Sequence, residues 1–310
     1  MSTIEKMKKA LGYIVYEGPS AADPDVMIVV IVNCVKRGSN NEKTGPMAQS
    51  WILRADIPPN KAIFGPRPSP AHPALDYAVC GACPYAAGRG CYVSLKTICS
   101  VWRAYNRCSY MHTSPEEVGA HVAARVKTGH LRGMRAGSYG DPAMVPFEVW
   151  EKLLLPVRGV GGKTSGYTHM WNSRYRHEGQ EIDPRFKTLL MASAHGGIDA
   201  HNAAEEGWRP FAQFNSEADL RISGLAMCPA SKEAGHRKTC ATCGSQSACN
   251  GRKGEEDKRV GVGIVVHGSP ITLNLARRRN GVVTELDKAR LVEAENTPVM
   301  LDWETGVLHV

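Results

Sequence analysis

Ten cysteines constrain this chain more than any other feature, because eight of them fall in two clusters. The first is Cys80-Gly-Ala-Cys83, followed by Cys91 and Cys99. The second is Cys228, then Cys240-Ala-Thr-Cys243, then Cys249. The amino-terminal stretch MSTIEKMKKALGY carries charges where a secretory leader would need an apolar run, which points to a cytoplasmic protein. Thiols stay reduced there, so clustered cysteines point to metal rather than to disulfides. Cys34 and Cys108 stand apart and are expected to be small buried hydrophobes.

The second cluster has the spacing C-x11-C-x2-C-x5-C. Its central CxxC lets two thiolates reach one ion from a tight knuckle, and Cys228 and Cys249 would complete a tetrahedral zinc site. The nearby Lys232, Arg237, Lys238, Arg252 and Lys253 favour thiolate formation. The intervening Gly, Ser and Thr residues offer little core, so a metal would replace it. The first cluster, C-x2-C-x7-C with Cys99 as a possible fourth ligand, is less regular. His72 or His112 could substitute for Cys99. Ligation by cysteine alone suits zinc or an iron–sulfur cluster, although the CxxxCxxC spacing of radical AdoMet enzymes is absent.

No apolar run approaches the ~20 residues of a membrane span. The longest, Val26 to Val32, is seven residues rich in β-branched side chains and is expected to be a buried strand. With Ala48–Ala55 it forms a plausible hairpin across KRGSNNEKTGP, after a peripheral lead-in over residues 1–25. Six prolines between residues 57 and 79 predict an irregular loop.

From residue 114 strands and helices alternate. Ser114-Pro115-Glu116-Glu117 has the residues of a helix start. Strands are expected at Leu131–Ala136, Thr164–Trp171, Thr188–Ala194, Pro210–Phe214, Ile222–Met227 and Val260–His267. Helices are expected in PFEVWEKLLLP, AHNAAEEGW and SPITLNLARRRNG. Such alternation implies an α/β fold with parallel pairing, here an incomplete or decorated (β/α) barrel, with an open doubly wound sheet as the alternative. Residues 1–113 would hold the hairpin and first cluster, and residues 114–310 the barrel-like core with the second cluster at 228–249. No GxGxxG or GxxxxGK[ST] follows a strand, which leaves out the common nucleotide cradles.

Catalytic groups in such folds sit past the carboxyl ends of strands. Those positions hold Tyr139, Asp141, His169, Trp171, His195, Asp199, Cys228 and His267. Asp141 would act as nucleophile or general base, or cap the helix that starts at Pro142. Asp199 has the same two readings beside His195. Tyr167, Trp171 and Tyr139 offer aromatic faces for a base, and His169 lies among them; buried core roles are the alternative. Arg277-Arg278-Arg279 would complement a helix dipole. The formal net charge of +8 favours a polyanion partner, above all nucleic acid.

The blocks CGACPY, CYV, RAGSYGDP, GYTHMW, LLMASAHGGID, GWRPF, CPAS and CATCG, spread over about residues 30–270, resemble a family of tailed-phage proteins with paired cysteine clusters. That family is distantly similar to the tRNA-guanine and DNA-guanine transglycosylases, zinc-containing (β/α) barrels. The resemblance implies a host-cell cytoplasmic enzyme that exchanges guanine in DNA for a 7-deazaguanine. Asp141 and Asp199 would be its carboxylates, with their order unassigned. The AHGGID block departs from the shorter acidic block of those enzymes. Two alternatives stand beside it: a non-enzymatic zinc-dependent nucleic-acid-binding protein, and an iron–sulfur radical or redox enzyme using the first cluster.

Overall fold

The computed structural model describes residues 7, 10–64, 75–86, 91–176, 180–244 and 248–267, with backbone alone at 300–301 and 308–309. The SPITLNLARRRNG helix with Arg277–Arg279, His72, and Pro66, Pro68, Pro70 and Pro73 lie outside the described residues.

The fold is mixed α/β. Its strands are β1 (Gly12–Pro19), β2 (Met27–Asn33), β3 (Met47–Arg54), β4 (Met111–His112), β5 (Gly133–Tyr139), β6 (Lys163–Ser165), β7 (Tyr167–Thr168), β8 (Met191–His195), β9 (Pro210–Phe214), β10 (Ala226–Met227) and β11 (Val262–Val265). Among the described residues there are seven α-helices: α1 (Pro59–Phe64), α2 (Tyr77–Cys80), α3 (Leu95–Asn106), α4 (Pro115–Lys127), α5 (Phe147–Gly159), α6 (Gly196–Glu205) and α7 (Glu217–Ile222).

Two sheets carry the core. The first has the order β4-β1-β2-β3-β5-β6 and the second β10-β11-β9-β8-β7. In the first, β1, β2 and β3 are antiparallel neighbours, whereas β3, β5 and β6 run parallel. Every pairing in the second is parallel. The sheets meet at Gly166, the single residue between β6 and β7. Its N–H donates to the Cys249 carbonyl and its own carbonyl accepts from Met191 N–H. One line of chain, 163–168, therefore belongs to both sheets.

The β2–β3 hairpin forms as expected, because Val29 to Val32 are wholly buried and a strand covered on both faces reads as a continuous apolar run. Residues 12–19 are not a peripheral lead-in. They form β1, whose Tyr13, Ile14 and Val15 are buried against β2. The first sheet thus takes strands from both sides of residue 113. The proline-rich stretch is not wholly irregular either, since α1 starts at Pro59, where a missing N–H is harmless, and α2 leads into Cys80. Helix α4 begins in a capping box: Glu117 N–H donates to Ser114 Oγ and Ser114 N–H to Glu117 Oε2.

Leu131–Ala136 shifts to Gly133–Tyr139, Thr188–Ala194 to Met191–His195 and Val260–His267 to Val262–Val265, and two further expected strands change more. Thr164–Trp171 breaks at Gly166 and ends at Thr168, because the next residues turn around Asp141. Ile222–Met227 shrinks to Ala226–Met227, since Ser216 caps α7 and draws residues up to 222 into that helix. The pair Met300–Leu301 and Leu308–His309 is antiparallel. Among the described residues no helix is long and apolar enough to cross a membrane.

Candidate functional site

Side chains alternate between the two faces of a strand, so every second residue of neighbouring strands shares one face. On β5, Met134 and Ala136 are wholly buried on one side, while Arg135, Gly137 and Tyr139 face a cavity. The same wall continues through Ser165, Tyr167 and His169, then Ser193, then Phe211 and Gln213, then Ile264 on β11. The register pairs Arg135 with Ser165, Ser193 with Phe211 and His195 with Gln213. The cavity holds about 250 Å³.

Its remaining walls come from loops. Cys80, Cys83, Tyr85, Cys91 and Tyr92 enter from the first cysteine cluster, and Cys240 from the second, beside Lys43 and Thr44. Tyr85 reaches across to donate from its hydroxyl to Gln213 Oε1 at 2.7 Å, tying the first cluster to β9. Cys240 N–H donates to the Lys43 carbonyl and Ala241 N–H to that of Thr44, tying the second cluster to the hairpin loop.

Asp141 is the one carboxylate among the cavity-lining residues. It follows β5 through Gly140, whose φ of +84° suits glycine, and it caps the short 3-10 helix at Pro142. Oδ1 accepts from Ala143 N–H at 3.0 Å and Oδ2 from His169 N–H at 2.8 Å. Burial pushes its carboxyl up to about 6, against hydrogen bonds to Thr168 and the amides of Ala143, His169 and Met170 that pull it down. The cap and the cavity position coexist.

Asp199 lies elsewhere. It sits in the first turn of α6, buried, paired with Arg174, and its Oδ2 accepts from His195 N–H at 3.1 Å. It is not among the cavity-lining residues, and His195 rather than Asp199 occupies the cap position of α6. The His195 ring is stacked on that of His169, with centroids 5.4 Å apart and planes 15° from parallel, and Tyr85 lies 5.5 Å from it. Tyr139, Tyr167 and His169 line the cavity. Trp171 takes the core role instead: it is 1% exposed and its indole donates to the Ser193 carbonyl at 2.7 Å.

The cysteines sort by neighbourhood. Burial pushes the Cys80 thiol well above its ordinary range, with Asp76, Cys83, Cys91 and Asp141 adding to the effect. Burial also pushes Cys83 up to about 12 and raises Cys91. Cys99 is raised by burial too, but on α3 its neighbours are the Asn60 backbone and Arg103, and it lies outside the cavity wall. In the second group burial raises Cys240 and Cys249, and both lie within electrostatic range of Cys228 and Cys243. Of the isolated pair, Cys34 is half-buried and Cys108 is exposed, so Cys108 is no core residue.

Among the described residues no three His, Cys, Asp or Glu side chains are gathered as a closed metal site. Cys80, Cys83 and Cys91 act on one another electrostatically, as do Cys228, Cys240, Cys243 and Cys249, without forming a coordination shell. Cysteine sulfur is a donor that zinc and iron–sulfur centres accept, but burial and mutual repulsion favour the protonated thiols here, a cost that a bound cation would have to offset. Cys80, Cys83, Cys91 and Cys240 line the cavity, and Cys228, Cys243 and Cys249 do not.

Several participants carry weak sequence signals. Arg135 is a lone charge inside an otherwise small and apolar strand. Three arginines anchor the second cluster. Arg158 donates to Thr164 Oγ1 and the carbonyls of Thr188, Leu189 and Asn250. Arg209, 2% exposed, donates to Val260 and Ala248, and Arg259 to Asn250, Gly251 and Asp257. Long-range contacts reveal Arg158 and Arg209, whereas Arg259 bonds to residues close to it in the chain.

No protein-family model, curated protein or solved structure matches the chain.

Proposed function

We propose that the chain is an enzyme that modifies a nucleobase, within an incomplete (β/α) barrel, and that it exchanges guanine in DNA for a 7-deazaguanine. The observation that carries this reading is Asp141, a buried carboxylate facing a cavity walled by Tyr139, Tyr167 and His169. The choice of guanine, its 7-deaza analogue and DNA follows from the resemblance of the sequence blocks.

A duplex hides the glycosidic bond, so the target nucleotide must be flipped out or single-stranded. Tyr139 and Tyr167 would pack on the base faces. Above about pH 6 Asp141 is ionised and would attack C1′. The C1′–N9 electron pair leaves with guanine, which takes a proton from His169. The incoming base then displaces the carboxylate and returns its proton to His169. Asp199, bound to Arg174 and the His195 amide, would hold α6 and the His195 ring in place rather than react.

Cys228, Cys240, Cys243 and Cys249 would hold zinc. The group supplies a structural clamp on a loop that Arg158, Arg209 and Arg259 fasten to the sheet.

The test is Asp141→Asn, with nucleoside mass spectrometry of DNA from cells that supply the 7-deazaguanine. The modified nucleoside should fall by about 10²-fold or more. Wild-type levels in the variant would remove Asp141 from catalysis.

One observation favours a second reading. Cys80, Cys83 and Cys91 face the same cavity as Asp141, so an iron–sulfur centre there would make this a redox or radical enzyme. Anaerobic purification tests the second reading: iron with matching sulfide supports it, and zinc alone removes it, leaving base exchange against simple nucleic-acid binding.

A further inference from the structure

We propose that the Arg135 end of the cavity is a phosphate subsite, formed by Arg135, Lys43 and His267, so that the ligand is a nucleotide rather than a free base or nucleoside. The inference rests on reading the cavity as the substrate site.

Arg135 points into the cavity from the middle of β5. Its Nη2 donates to the Tyr92 hydroxyl at 2.6 Å, and its Nε is buried with no hydrogen-bond partner. Among the described residues no carboxylate lies within ion-pair distance of it, although Arg54, Arg174, Arg185, Arg221 and Arg259 each have one. A half-buried guanidinium left in that state calls for an anion.

Two further basic groups line the same cavity. Lys43 Nζ is 3.4 Å from His267 Nε2, and both residues line the cavity. Arg135 and Lys43 both act electrostatically on Cys240. Among the lining residues the only carboxylate is Asp141, six residues along the chain from Arg135 and past the end of β5. The lining therefore sets Arg135 and Lys43 against a single carboxylate, Asp141. Lys43 is half-buried and His267 exposed, so the anion would sit at the mouth, partly in water. An oxyanion there would accept from the guanidinium Nε and the ammonium at once, and a phosphate has the oxygens to do both.

The phosphate could belong to a free mononucleotide or to a nucleic-acid strand. Titration calorimetry with guanosine, guanosine 5′-monophosphate and a short guanine-containing single-stranded DNA, on the metal-replete protein, separates them. In wild type at least one phosphate-bearing ligand should bind about tenfold or more tighter than the nucleoside. That gain should disappear in Arg135→Met and in Lys43→Gln, the second lying outside β5. If the mononucleotide shows the gain, its own phosphate fills the site. If only the oligonucleotide does, a strand phosphate fills it, and each variant should lower the salt slope by about 1. Equal binding of all three ligands, no binding of any, or a gain that survives in Lys43→Gln would overturn the proposal. So would a loss in Arg135→Met that tracks metal content or melting temperature rather than phosphate. A retained phosphate gain without base exchange would leave the subsite standing and remove the base-exchange reading alone.

Discussion

The backbone N–H of His169 donates to Oδ2 of Asp141 at 2.8 Å, joining the turn after β7 to the turn after β5. This bond ties together two neighbouring strand ends and sets the carboxylate where the cavity opens. It also makes Asp141 a structural group, so its charge state bears on stability as well as chemistry.

Burial raises the Asp141 carboxyl to about 6 from 3.8. The folded state therefore binds a proton that the unfolded state releases between those values. Below pH 3.8 this group carries no penalty. As pH rises toward about 6, stability falls, and the ionised form costs about 3 kcal/mol from there upward. Urea unfolding across this range should show the decline in wild type and its absence in Asp141→Asn. A parallel decline in both would assign it to other groups.

The Asp257–Arg259 pair is the opposite case. Both side chains are under a tenth exposed, and the guanidinium hydrogen bonds hold the Asp257 carboxyl well below the usual carboxylate range. Its stabilisation is present above the ordinary carboxylate pKa and is lost as pH falls below it. Arg259→Met leaves Asp257 buried without its partner and frees the Gly251 carbonyl and the Asn250 side chain. It should cost about 3–5 kcal/mol in denaturant unfolding at neutral pH.

Gly133 pairs with Lys163 at the start of β5. A Cβ there would stand 1.7 Å from the Lys163 carbonyl oxygen. Backbone cannot yield that much, so Gly133→Ala should disrupt the β5–β6 pairing and lower stability by about 4 kcal/mol or more. Gly159→Ala, at the end of α5 with open space around it, should be neutral or slightly stabilising. Melting temperatures of the two variants check both.

The cysteine groups make separable predictions for metal content measured by mass spectrometry of the purified protein. Cys249→Ser should remove about one metal per chain and lower stability, because four-thiolate sites contribute folding energy directly. Cys91→Ser should deplete the cavity-facing group. Cys99→Ser and Cys108→Ser should change neither, since one lies on α3 away from the cavity and the other is exposed.

Local chemistry was legible in the residues themselves. The β2 run, the capping box at Ser114 and the cysteine spacing each depend on neighbours a few positions apart, so they survive without knowledge of the fold. The alternation of strands and helices pointed to parallel sheets for the same reason. The burial of β1 was hidden, because only pairing with β2 makes those residues core.

The site divides in the same way. Residue types and strand ends nominated Asp141, Tyr139, Tyr167 and His169, and also Asp199 and Trp171, without ranking them. Tertiary structure separated the two aspartates: one faces the cavity, the other is bound to Arg174. It brought Arg135, Lys43 and His267, scattered over more than 220 residues, into the wall of that cavity. Such groups follow from strand order and register. Those are decided by which apolar faces can be buried together, a long-range property that no window of sequence contains.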